Sequence, residues 1–118
     1  MTEILKVDDF DRLIVEGEGL KIVRFCAEWS GPCHIMGPIY DELYKIYSHS
    51  VEFFKIDIDR APELTQQMGV TELPTILFYR NGVSLDYVAG LIPREELIDK
   101  LKKAIKEMGA DSNSGMIN

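Results

Sequence analysis

The chain reads as a single α/β domain, and three observations carry that expectation. Its 118 residues are about one domain's worth, and 46% of them are hydrophobic, enough for one packed core. Short β-rich apolar runs alternate with amphipathic stretches of helical period, the order that builds a sheet covered by helices. No stretch repeats another, and low complexity is confined to the end of the chain.

Lys21 to Ala27 is a β-rich run that ends in the turn cluster Glu28-Trp29-Ser30-Gly31-Pro32. The next stretch is helical: Met36, Tyr40, Leu43, Tyr44 and Tyr47 recur at spacings of three and four and form one apolar face. Pro38 lies inside that helix and is expected to kink it, because proline withdraws a backbone donor and crowds the preceding turn. Val51 to Ile58 is the next strand, and Pro62 opens a short helix to about Met68, proline being well placed in a first helical turn. Pro74 to Tyr79 and Val83 to Ala89 flank Asn81-Gly82, a strong hairpin signal, so these two strands are expected to be antiparallel neighbours. The last helix begins at Pro93, with Glu95 and Glu96 near its positive end and Lys100, Lys102, Lys103 and Lys106 toward its negative end. Its expected buried stripe is Leu97, Ile98, Leu101, Ala104, Ile105 and Met108. Residues 109–118 are polar and small and read as a flexible tail after a domain spanning 1–108.

Thirteen Lys and Arg against twenty Asp and Glu give a net charge of −7. Such a chain is repelled by nucleic-acid phosphates and anionic lipids, so proteins or small molecules are the expected partners. No apolar run approaches the roughly 18 residues that a membrane helix needs. Residues 1–9 lack the charged-then-apolar build of a signal peptide, and a cytoplasmic location is expected. The only cysteines, Cys26 and Cys33, are too few for a disulfide-stapled secreted scaffold and leave a thiol role open. Together with His34 and His49 they match no compact ligand spacing, so no metal is expected, nor any nucleotide or flavin cofactor.

The segment Ala27-Glu28-Trp29-Ser30-Gly31-Pro32-Cys33-His34, set between a strand and a helix, resembles the active-site segment of the thioredoxin family, Trp-Cys-Gly-Pro-Cys-Lys. Further matches follow in order: Pro38, the strand Lys55 to Asp59, the loop Gly69 to Thr75, the hairpin Asn81-Gly82, and Gly90. The resemblance spans residues 1 to about 107. It implies the thioredoxin-like fold, a central mixed β-sheet flanked by helices on both faces, with a cis bond before Pro74. It also implies a substrate groove lined by Trp29, Gly31, Pro32, Leu73, Pro74 and Gly90. The implied partners are protein thiols and disulfides or an extended protein segment, in the service of cell redox homeostasis.

Three departures from the family pattern bear on function. Ser30 stands where the family has its first cysteine. A serine neither ionises near neutral pH nor forms a disulfide, so a dithiol cycle between positions 30 and 33 is impossible. Its hydroxyl is instead suited to capping the helix. Arg24 replaces a buried aspartate, and Cys26 replaces a tryptophan; these joint changes read as natural divergence rather than one engineered swap. Arg24 and Cys26 share strand parity, so both are expected to face the helix that carries Cys33. A guanidinium beside Cys33 would favour its thiolate; paired with Asp57 or Glu28 instead, it would leave Cys33 inert. Lys55 is expected to bring a second cation to the same place. A Cys26–Cys33 disulfide is a third possibility, needing Cα atoms within about 7 Å, but Cys26 is read as a small core hydrophobe. The expected function is thiol-disulfide redox chemistry limited to monothiol, mixed-disulfide steps through Cys33, with Ser30 and Arg24 assisting. The other reading is a non-catalytic binding module that uses the old groove.

Overall fold

The computed structural model describes the backbone of residues 1–117 and side chains as far as Glu107. In chain order its elements are β1 (Thr2–Glu3), α1 (Val7–Phe10), β2 (Leu20–Cys26), α2 (Gly31–Tyr47), β3 (Glu52–Asp57), α3 (Pro62–Gln67), β4 (Thr75–Arg80), β5 (Val83–Ala89) and α4 (Arg94–Ile117). A π-helical segment, Asp11–Val15, continues α1. Every element expected from the sequence is present, with ends moved by a residue or two except the C-terminal end of α4. The additions lie before residue 20: β1 is too short to show an alternation, and α1 too short to show a helical period.

The strands lie in the order β1-β3-β2-β4-β5. β1, β3 and β2 are mutually parallel, whereas β4 runs antiparallel to β2 and β5 antiparallel to β4, so the sheet is mixed. Alternation along the strands sends side chains to two cores. On one face Ile22, Phe53, Ile76, Phe78 and Val88 pack with Met36, Tyr40 and Leu43 of α2 and Leu97, Leu101 and Ala104 of α4. On the other, Val23, Phe25, Phe54 and Ile56 pack with Phe10, Ile14 and Leu64, so α1 and α3 cover that side. Each large side chain buried this way contributes about 1.5–3 kcal/mol relative to exposure, which makes the two layers the main stabilising element.

Several polar contacts fix the elements that carry the site. The Tyr40 hydroxyl reaches from α2 to the carbonyls of Ile22 (3.1 Å) and Phe54 (2.8 Å), tying the helix to β2 and β3. Helix α2 continues through Pro38. Arg94 at the start of α4 grips the Glu42 carboxylate with two N–H donors. The hairpin turn has φ of 50° at Asn81 and 80° at Gly82, the left-handed pair that Asn-Gly favours. Asn81 also receives the Gly19 N–H on its side-chain oxygen at 2.7 Å, which anchors the turn to the loop before β2. The helical backbone of α4 runs on through Ile117, beyond Gly109, where the sequence reading begins a flexible tail. The side chains from Met108 onward, and Asn118, lie outside the described residues.

Candidate functional site

The end of β2 and the first turn of α2 meet around the two cysteines. Ser30 is the N-cap of α2: its backbone is extended, and its Oγ accepts the Cys33 N–H at 3.3 Å. Pro32 occupies the first turn, where no intrahelical N–H is needed. This local structure follows from the sequence Ser-Gly-Pro-Cys itself, and the capping role expected of Ser30 is what the hydroxyl performs. Cys33 then points inward, only 6% exposed. Cys26, the last residue of β2, is half-buried on the same side, and its sulfur is paired with that of Cys33 in a disulfide whose Cα atoms lie 5.8 Å apart.

This pairing overturns two expectations. Cys26 is not a core hydrophobe, and Cys33 is not a solitary thiol limited to monothiol chemistry; both cysteines of the chain belong to one dithiol centre. The alternative, a non-catalytic module that holds a protein segment in the groove around Trp29, Leu73, Pro74 and Gly90, gives way to a dithiol centre on the same observation. The physical reason is the distance between elements, which parity does not give. Cys26 ends a strand whose even residues face α2, and the capped first turn of that helix sets Cys33 directly across from it.

Cys26 and Cys33 form part of the wall of a cavity of about 490 Å³ between the sheet and α2. Arg24 and Lys55 line it too, as the strand register requires, since Arg24 and Lys55 are cross-strand partners and Cys26 is partnered by Asp57. Arg24 makes neither of the ion pairs foreseen for it, with Asp57 or with Glu28. Its guanidinium lies over the Tyr40 ring, 4.9 Å from the centroid, and its buried Nε has no hydrogen-bond partner. Burial pushes the Tyr40 phenol well above its ordinary range and the guanidinium opposes this, so Tyr40 is a neutral platform beneath a fixed charge. Gly37 opens the space above: a Cβ there would stand 3.7 Å from an Arg24 guanidinium nitrogen. Lys55 is exposed at the cavity and makes no ion pair among the described residues.

The residues expected to line a groove form a second group that the cavity does not include. Trp29 is 68% exposed, and its indole N–H donates to Asp59 at 2.8 Å, while Gly31 and Pro32 are exposed beside it. Leu73 and Pro74 are joined by a cis peptide bond. The Gly90 N–H donates to the Pro74 carbonyl at 2.8 Å, which sets these three residues side by side. Glu72 leans across Gly90, whose absent Cβ leaves room for its carboxylate. Sequence reasoning missed Gly37, Asp41, Glu3 and Arg60 as parts of the cavity wall. Gly37 carried a signal, standing one helical turn after Cys33 on the same face; Glu3 and Arg60 carried none, because β1 was not foreseen.

A mixed sheet between two helical layers, with a bonded cysteine pair where a strand hands over to a capped helix, defines a thioredoxin-like fold. The Thioredoxin family model matches residues 1–103, and the chain belongs to the thioredoxin family. A chloroplastic M-type thioredoxin of Pisum sativum is 36% identical over 107 residues, covering 89% of this chain and 62% of the relative. Thioredoxin 1 of Plasmodium falciparum is 43% identical over 82 residues, 70% of this chain and 77% of that one. The X-ray structure of Fasciola hepatica thioredoxin superposes with a TM-score of 0.80 at 31% identity, covering 88% of this chain and 99% of that one. The chain spans about three fifths of the length of the chloroplastic relatives. Their plastid setting gives no support to the expected cytoplasmic location. No helix among the described residues is long and apolar enough to cross a membrane.

Proposed function

We propose that this protein exchanges electron pairs with thiols and disulfides of protein partners through the Cys26–Cys33 couple. The observation that carries the reading is the pairing of the two sulfurs at a Cα separation of 5.8 Å, well inside the range that disulfide geometry allows. In the reduced protein, the Cys26 thiolate attacks a partner disulfide, forming a mixed disulfide and releasing one partner thiol. Cys33 then attacks the Cys26 sulfur, closes the intramolecular bond and releases the second partner thiol. Two electrons pass to the partner, and the protein is left oxidised. Cys26 is assigned the outer role because it is half-buried, whereas Cys33 is buried. Cys33 stands in the first turn of α2, where the helix dipole favours a thiolate. The exposed turn Trp29-Ser30-Gly31-Pro32 and the Leu73–Pro74 edge beside Gly90 offer an extended partner segment its docking surface.

The reading is tested by insulin-disulfide reduction with a dithiol regenerant, alongside alkylation and mass analysis before and after reduction. Wild type is expected to show no free thiols as isolated in air, both thiols after reduction, and reductase activity that Cys26→Ser and Cys33→Ser each reduce to background. Full activity in Cys26→Ser would overturn it.

A further inference from the structure

The cavity beside the disulfide holds a feature that protein-disulfide exchange does not use: two cations without anionic partners among the described residues, one of them partly sealed in. Arg24 makes no ion pair among the described residues, and its buried Nε has no hydrogen-bond partner. A partly buried guanidinium whose sealed Nε lacks an acceptor carries a desolvation cost that an incoming carboxylate would relieve with charge-assisted, bidentate geometry. Lys55, its cross-strand partner, adds a second positive charge on the same wall. Of the carboxylates on the wall, Glu3 is matched by Arg60 at 2.9 and 3.0 Å; Asp57 keeps its charge while accepting the Asp59 N–H at 2.9 Å, and Glu28 and Asp41 are exposed to solvent screening, so the attraction rests on short-range contact with Arg24 and Lys55. The disulfide opens on this same space, which at about 490 Å³ suits a small molecule rather than a folded loop.

We infer that this cavity is a binding site for a low-molecular-weight thiol bearing a carboxylate, which Arg24 and Lys55 hold while its sulfur reduces the Cys26–Cys33 bond. The inference rests on the redox reading above. The bound thiolate attacks the Cys26 sulfur, the sulfur–sulfur bond breaks, and Cys33 leaves as a thiolate that takes a proton from solvent. A second molecule of the thiol then attacks the exogenous sulfur of the mixed disulfide and releases Cys26, which is protonated in turn. Two thiols become one small disulfide, and the protein gains two electrons and two protons.

The test compares 3-mercaptopropionate, neutral 2-mercaptoethanol and cationic cysteamine as reductants of the oxidised protein. Rates are expressed per thiolate and normalised to the same three rates on an uncharged linear disulfide. A chain of net charge −7 repels anions at long range, so any preference for the carboxylate must arise locally. The expected result is a normalised preference of about tenfold or more for 3-mercaptopropionate over both others, with saturation at high concentration. Arg24→Met is expected to bring the preference within about twofold. Lys55→Met, at an exposed position that does not threaten folding, is expected to reduce it in part. Equal normalised rates in wild type, or a preference unchanged in both variants, would overturn the inference. If mass analysis finds no Cys26–Cys33 bond to reduce, the redox reading itself falls; if all three thiols open that bond alike, only the carboxylate site does.

Discussion

Ser30 shows how much one side chain decides here. Its hydroxyl accepts the Cys33 N–H and closes the first turn of α2, which fixes the direction in which Cys33 leaves the helix. Ser30→Ala is expected to lower stability by about 1 kcal/mol, the usual cost of losing such a cap, measured by chemical denaturation of the oxidised protein. The cap was legible in the sequence because its signal is local: a serine followed by Gly-Pro at a strand-to-helix turn. Cys26 was not legible in the same way. Whether a small strand residue is a core hydrophobe or half of a disulfide depends on a partner in another element, and strand parity gives only the face, not the distance.

At the level of elements, the β4–β5 hairpin and the α2–α4 contact each yield a test. Gly82 has φ of +80°, and a Cβ there would stand 2.1 Å from the Val15 carbonyl oxygen, a backbone atom that cannot swing away. Gly82→Ala is therefore expected to cost about 1–3 kcal/mol through combined backbone strain and displacement of the 15–19 loop, visible as a lowered Tm. Asn-Gly announced this turn from sequence alone, whereas its seating on Val15 required the fold. The Arg94 guanidinium, by hydrogen bonding, holds the Glu42 carboxyl below its ordinary value. A group whose folded pKa is depressed contributes stability above its unfolded pKa and loses it as pH falls through the folded value. Wild type is accordingly expected to be more stable than Glu42→Gln at neutral pH, with the difference shrinking below the ordinary glutamate range; a gap that persists at low pH would argue against it. Both partners are substantially exposed, so the effect is small and salt-sensitive.

For the molecule as a whole, the redox state is a stability variable. The Cys26–Cys33 bond closes a short loop of sequence separation 7. Loop-closure entropy for so short a loop gives about 2–3 kcal/mol, so reduction is expected to lower the unfolding free energy by up to that amount. Parallel denaturation curves with and without reductant measure it, and Cys26→Ser should be insensitive to reductant. The two core layers are expected to hold in either state, because neither cysteine belongs to the apolar clusters on the two faces.

The α/β class, the strands from residue 20 onward, the hairpin, the capped helix α2 and the family could all be read from the order of residues. These are written in periods and turn residues, which act over a few positions and survive without knowledge of neighbours. The same order also placed Arg24 and Cys26 on the face toward the helix that carries Cys33, since a strand's period of two is a local property. Packing in three dimensions was needed to show that two cysteines seven positions apart are bonded, that Arg24 rests on Tyr40 instead of pairing with Asp57 or Glu28, and that β1 closes the far edge of the sheet. The reason is that a bond, a charge pair and a cavity are set by distances between elements. Those distances come from the packing of α2 on the sheet through Met36, Tyr40 and Leu43, which no single stretch of sequence specifies.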